Sequence, residues 1–147
     1  MKNHLVVIFF SFFLCSFANA GLEGSGPLKL DSEVVKFFNK YLGTKDQNTK
    51  GGALKHGRGT YFFVSESGRG FGYSYCPQTY IDGCVQNPSL AKNQCRKDVK
   101  NYLKNNEKCR LFAKDRYIVW GGKKVKIKNK ASPSEVDAIL RHEGFID

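Results

Sequence analysis

The sequence predicts an α+β domain: a small antiparallel sheet of about five strands, a central helix packed on one of its faces, helices at both ends, and two disulfides. Three observations carry that expectation. Helical and strand periodicities alternate along the chain in the order α, ββ, α, βββ, α. The strand segments are short, aromatic and β-branched, with turn residues between them, and four cysteines fall within the part expected to fold.

A leader comes first. Lys2, the apolar run Leu5 to Leu14 and the Ala18-Asn19-Ala20 triplet form the three-part pattern of a secretory signal, with cleavage expected after Ala20. Its apolar core of about ten residues is too short to span a bilayer, which takes about 20. No later run rivals it, so an integral membrane protein is not expected. Cys15 leaves with the leader, and Leu14 before it argues against lipid attachment. Residues 21–30, rich in Gly with one Pro, are expected as a flexible arm, and residues 31–147 as a single domain.

That domain opens with a helix. Asp31 can accept from the free amides of a first turn, Leu30 and Val35 are placed as a hydrophobic staple, and Val34, Phe38, Tyr41 and Leu42 recur at helical spacing until Gly43. Residues 44–59 are polar with four Gly and read as a long loop. The segments 61–64 and 69–75 flank Ser67-Gly68 as a β-hairpin. On its second strand Phe71, Tyr73 and Tyr75 project to one side, while Gly70, Gly72 and Ser74 leave the other nearly bare and open to a close-packing helix or ligand.

The helix expected there runs from Pro88 to Asn105, capped by Asn87, with Ala91, Cys95, Val99, Tyr102 and Leu103 along one face. Three short antiparallel strands follow over 109–113, 117–120 and 123–128, the last turning Val125 and Ile127 inward and Lys124, Lys126 and Lys128 outward. Ser132-Pro133-Ser134-Glu135 is a capping box for a final helix with Val136, Ile139 and Leu140 as its buried stripe. Gly144 should end it and let Phe145 and Ile146 fold back.

Cys76, Cys84, Cys95 and Cys109 are an even number behind an export signal, so two disulfides are expected. Spacing alone leaves three pairings open. The favoured one joins Cys76 to Cys84, closing the loop between them, and Cys95 to Cys109, tying the central helix to the next strand. The spacings contain no C-x2–4-C half-site, and neither His56 nor His142 lies at a paired spacing, so no metal and no cofactor are expected.

Tyr61 to Trp120 also carries a resemblance. Phe63-Val64 before a Ser-Gly turn, the segment Gly72-Tyr73-Ser74-Tyr75-Cys76-Pro77, Cys84, Cys95, and Cys109-Arg110-Leu111-Phe112-Ala113 leading to Ile118-Val119-Trp120 resemble a group of small uncharacterised secreted bacterial proteins. The resemblance covers a little under half of the mature chain. It implies a secreted or periplasmic setting with disulfides, and no catalytic residues.

The composition adds a partner class. The chain has 24 Lys+Arg against 13 Asp+Glu, a formal charge of +11, of which only Lys2 leaves with the signal. That excess concentrates on the far side of the central helix, at Lys92, Arg96, Lys97, Lys100 and Lys104, and on the strand of Lys124, Lys126 and Lys128. The leading expectation is a non-enzymatic secreted protein that binds an anionic polymer or membrane surface through those residues, with nucleic acid as a non-specific partner. The same charge argues against inhibiting a basic enzyme, because like fields repel.

Two alternatives are kept. A small secreted nuclease or other hydrolase would use His56 for proton transfer, Glu66 beside it and Arg69 for developing negative charge. A protein-interaction module would present Phe71, Tyr73 and Tyr75. Arg69-Gly70-Phe71-Gly72-Tyr73 matches the opening of an RNA-binding strand motif, but Ser74 and Cys76 break it. No G-x-S-x-G, H-E-x-x-H or Walker loop occurs, and Glu135, Asp137 and Glu143 suit helix capping and solvation rather than glycoside cleavage.

Overall fold

In the computed structural model, which describes residues 21–44, 52–56, 59–74 and 87–147, five antiparallel strands form one sheet. They are β1 (Tyr61–Ser65), β2 (Phe71–Ser74), β3 (Cys109–Lys114), β4 (Tyr117–Ile118) and β5 (Val125–Lys126), in the spatial order β2-β1-β3-β4-β5. The hairpin and the later meander meet where β1 pairs with β3, so these two central strands are buried almost throughout.

Strand parity sends side chains to two different layers. Phe62 and Val64 of β1, with Phe112 of β3, face helix α1 (Ser32–Leu42) and helix α4 (Pro133–His142). There Phe38 of α1 meets Phe62 and Phe112 edge-on, with ring centroids 5.2 Å apart in both pairs, and Phe145 closes on Phe112 at 5.0 Å. Tyr61, Phe63 and Leu111 point the other way, to Ala91, Cys95 and Val99 of the central helix. The architecture is therefore α+β, with helices on both faces of the sheet.

The helix ends are set by local chemistry. Asp31 accepts from the Glu33 amide at 2.9 Å, and Ser132 and Glu135 form a reciprocal capping box. Gly43 and Gly144 are the left-handed stops, after which the Phe145 amide returns to the Leu140 carbonyl. The bare side of β2 is covered by the central helix: a Cβ built on Gly72 would stand 2.3 Å from both the Ala91 carbonyl oxygen and the Cys95 amide nitrogen. Only a residue without a side chain admits the helix backbone that close.

Several sequence expectations need correction. Regular helix α3 stops at Asp98 (Pro88–Asp98) and continues as a π-helical turn, Val99–Leu103, which Lys104 ends in the left-handed region at φ 51°. The wider turn shifts the helical phase, so Tyr102 leaves the buried stripe and stands 79% exposed. The polar stretch 44–59 contains a short helix, α2 (Ala53–His56), with Ala53 fully buried.

The arm, residues 21–30, is docked rather than flexible. Leu22 and Gly24 exchange backbone hydrogen bonds with Leu111, and Leu28 and Leu30 are buried in the main core. Trp120 lies flat on Gly24, where a Cβ would stand 1.9 Å from the ring, and its indole N–H donates to the Gly26 carbonyl at 2.9 Å. The arm takes the place beside β3 that β4 vacates after Ile118. Cys95 and Cys109 are bridged as expected, while Cys76, Cys84 and Tyr75 lie outside the described residues.

Candidate functional site

Several charged residues line an open cleft of about 510 Å³ between α3 and the chain entering β3. Its first wall follows from how α3 sits on the sheet. Ala91, Cys95 and Val99 recur every four residues against the sheet's glycines, and the residue after each, Lys92, Arg96 and Lys100, forms a parallel stripe along the cleft. The π-helical turn and the left-handed Lys104 then reverse the chain, and Asn105, Asn106, Glu107, Lys108 and Arg110 make the second wall.

Val99 and Cys109 lie between the walls, and the Cys95–Cys109 disulfide, with Cα atoms 6.1 Å apart, ties one to the other. The second wall is anchored to the β1–β2 turn. Glu107 accepts from the Ser67 amide at 3.1 Å and from the Asn105 side-chain amide, and the Glu66 amide donates to the Lys108 carbonyl at 3.1 Å. Partial burial pushes the Glu107 carboxyl up, but hydrogen bonds from the Ser67 hydroxyl and amide, from Asn105 and from the Ser65 hydroxyl outweigh it and hold it below the ordinary glutamate range. Arg110 is steadied by Glu66 at 3.6 Å and by the Gly21 carbonyl at 3.3 Å.

Among the described residues, Lys92, Arg96, Lys100 and Lys108 have no carboxylate within 4 Å. Like charges four apart on a helix cost about 0.2–0.5 kcal/mol per pair. The Lys92/Arg96/Lys100 stripe contains two such pairs, so the bare protein holds this arrangement against repulsion.

The structure divides the basic residues expected from the sequence. Lys92, Arg96 and Lys100 line the cleft, whereas Lys97 faces a separate shallow depression with Leu90, and Lys104 is exposed beyond the cleft's lining. The strand expected over 123–128 is limited to β5, Val125–Lys126, and Lys124, Lys126 and Lys128 are exposed on or beside it, three strand positions from β1, or about 14 Å across the sheet. There Lys124 stands 4.8 Å over the Tyr117 ring. The helix face and the lysine strand are thus two surfaces, not one. Lys108 and Arg110, which complete the cleft, were not singled out by the sequence pattern.

The backbone positions of the hydrolase set lie on different turns of the fold. Glu66 and Arg69 sit in the β1–β2 turn, beside the start of α1, where the Gly68 carbonyl accepts from the Asp31 amide at 2.9 Å. His56 ends α2, whose flanking Gly52 packs on Leu42 and Gly43 at the other end of α1. The 11 residues of α1 separate these ends by about 16 Å. The described rings of the interaction-module set are also engaged within the fold. Phe71 stacks on Phe37 of α1 at 4.5 Å, Tyr73 lies parallel to Phe62 at 6.0 Å, and burial raises the Tyr73 phenol above its usual range.

His142 is exposed near the end of α4, and no group of three or more His, Cys, Asp or Glu able to hold a metal occurs among the described residues. No helix among them is long and apolar enough to cross a membrane. No family model matches the chain, and no curated protein or solved structure matches it.

Proposed function

We propose that the protein is exported and binds an anionic component of the cell envelope, without catalysis, through the cleft of Lys92, Arg96, Lys100, Lys108 and Arg110. The observation that carries this reading is the stripe of Lys92, Arg96 and Lys100 along the cleft, with Lys108 near it, none of which has a carboxylate within 4 Å among the described residues, an arrangement whose like charges repel until a counter-charge arrives. Among the described lining residues the one carboxylate, Glu107, is committed to Ser67 and Asn105. Export agrees with the leader pattern in residues 1–20 and with the Cys95–Cys109 bridge, which suits an oxidising compartment. Cleavage after Ala20 would retain every residue of the docked arm, from Gly21 onward. The resemblance to small secreted bacterial proteins belongs to the same proposal.

Heparin chromatography tests it. The wild-type protein should be retained at low salt and elute steeply as salt rises, and Arg96→Glu with Lys100→Glu should elute at much lower salt. Retention that does not change between low and high salt, or that survives the double reversal, refutes the reading.

A further inference from the structure

The segment from Pro88 to Lys104 carries more than charge. The two most exposed large hydrophobic side chains among the described residues are both on it, Leu90 at 66% and Tyr102 at 79%. Both lie outside the stripe of Ala91, Cys95 and Val99 that seats the helix on the sheet, and about 18 Å of helix separates them. Lys92, Arg96, Lys97 and Lys100 stand between them in the chain, with Lys104 just beyond. Arg96 belongs both to the stripe along the cleft and to the depression that Leu90 and Lys97 share, so the cations and Leu90 form one continuous surface.

The exposure of Tyr102 is built into the backbone. An uninterrupted α-helix would place Tyr102 with Val99 on the buried stripe, whereas the π-helical turn Val99–Leu103 widens the spiral and turns the ring out. Asp98, the one acid between Pro88 and Lys104, accepts from the Phe71 amide at 3.1 Å, at the edge of β2. The segment's cations therefore share its outer side with two exposed apolar side chains, while its acid is turned to the sheet.

A soluble polyanion is met by charge alone and gives an exposed leucine nothing to enter. A bilayer with anionic headgroups offers both parts, phosphates at its surface for the cations and the acyl boundary just beneath for Leu90. Tyr102, with an apolar ring and a hydroxyl tip, suits the headgroup level, and lysine and arginine stems lie along apolar surface while their charges stay at the phosphates. We infer that the protein docks on an anionic lipid bilayer, with the Pro88–Lys104 segment along the surface, Leu90 and Tyr102 as shallow anchors near its two ends, and Arg96, Lys97, Lys100 and Lys104 on the headgroup phosphates. This rests on the anion-binding function proposed above and names its partner. Two apolar side chains are too few to hold the protein without the charges, so docking is reversible and salt-sensitive.

The test is flotation of the disulfide-intact mature protein with vesicles of pure phosphatidylcholine and of equal parts phosphatidylcholine and phosphatidylglycerol. The protein should float with the anionic vesicles at low salt, stay in solution beside the neutral ones, and come off as salt rises. Leu90→Gln with Tyr102→Ser should weaken partitioning by about ten-fold or more while leaving the salt at which the protein elutes from heparin unchanged. Lys97→Glu with Lys100→Glu should weaken it by about 25-fold or more, since each basic residue near such a surface is worth about five-fold. Circular dichroism verifies that each variant folds. A second readout needs no loss of binding: Tyr102→Trp should be quenched by bromine on the acyl chains, whereas the wild-type protein's Trp120, packed on Gly24, should not.

No flotation with anionic vesicles, equal partitioning of the wild type and the Leu90→Gln/Tyr102→Ser protein, or no quenching of Tyr102→Trp would overturn the bilayer inference; salt-dependent retention on heparin would then leave the anion-binding function standing. Tighter binding to single-stranded DNA than to anionic vesicles, at the same salt and phosphate concentration, would overturn the choice of partner. Failure to bind vesicles, DNA and heparin alike at low salt would overturn both the inference and the function it rests on.

Discussion

The two faces of the sheet are built on opposite principles. On one, α1 and α4 bury Val34, Phe38, Tyr41, Leu42, Val136 and Leu140 against Phe62, Phe112 and Ile118, with large rings interlocked edge to face. On the other, α3 contributes only Ala91 and Cys95, with Val99 just after it, lies against glycines and is held by a disulfide. The first face gains its stability from apolar area. The second gains little from area and substitutes a covalent tie, which leaves the rest of α3 free to carry charge that a core-building helix could not tolerate.

The edge beside α3 shows the same economy. β2 is the outer strand, and its outward amides would be open to another chain. Asp98 accepts from the Phe71 amide at 3.1 Å and Gln94 from the Tyr73 amide at 3.3 Å, so α3 covers the edge with side chains. The opposite edge, β5, is protected by exposed Lys124, Lys126 and Lys128. This gives the lysine strand a structural role separate from the cleft.

The largest expected effect breaks the apolar face. Phe38→Ala should cost about 3–5 kcal/mol, a large share of the 5–15 kcal/mol typical of a domain, and lower the urea midpoint accordingly. Val99→Ala, removing the largest side chain that the α3 segment fully buries, should cost about 2 kcal/mol. Equal losses at the two positions would erase the contrast between the faces.

Next comes the tie itself. Replacing Cys95 and Cys109 together by Ser opens a loop of about 15 residues, worth about 3 kcal/mol in the chain-entropy account. Hydrogen exchange should then accelerate across α3 well before α1, because α3 has few buried side chains left to hold it. Uniform acceleration of both helices, or none, would show that the disulfide is not what seats α3.

The contrast explains what could be read from the sequence. Caps at Asp31 and Ser132 and the bare side of Gly70 and Gly72 depend on nearest neighbours or parity and were legible, and the Cys95–Cys109 bridge belongs to the favoured one of three open pairings. The π-helical turn was not, because Tyr102 fits an ordinary helical stripe and only the packing of Val99 and Leu103 selects the wider turn. The docked arm was missed because its glycines read as freedom, whereas Gly24 is small so that Trp120, nearly a hundred residues later, can lie on it. Lys108 and Arg110 were within reach. They flank Cys109, so the pairing of Cys109 with Cys95 already brought their stretch of backbone beside α3.

The smallest effect separates the faces by charge alone. Each side of the molecule has a carboxylate held below its ordinary value of 4.5: Glu135 by the Ser132 amide and hydroxyl in the α4 capping box, and Glu107 by the net effect of its hydrogen bonds in the cleft. A carboxylate with a depressed folded-state pKa adds stability above its unfolded value, and that stability is lost as pH falls through the folded one. The urea midpoint should therefore hold between pH 7 and 5 and decline below about 4.5. Glu135→Gln and Glu107→Gln should each make that decline shallower. Only Glu107→Gln removes a negative charge from among the cations, so it alone should tighten binding of a polyanion at pH 7, by about two- to five-fold. Tightening by Glu135→Gln as well would mean that net charge, rather than the cleft, governs binding.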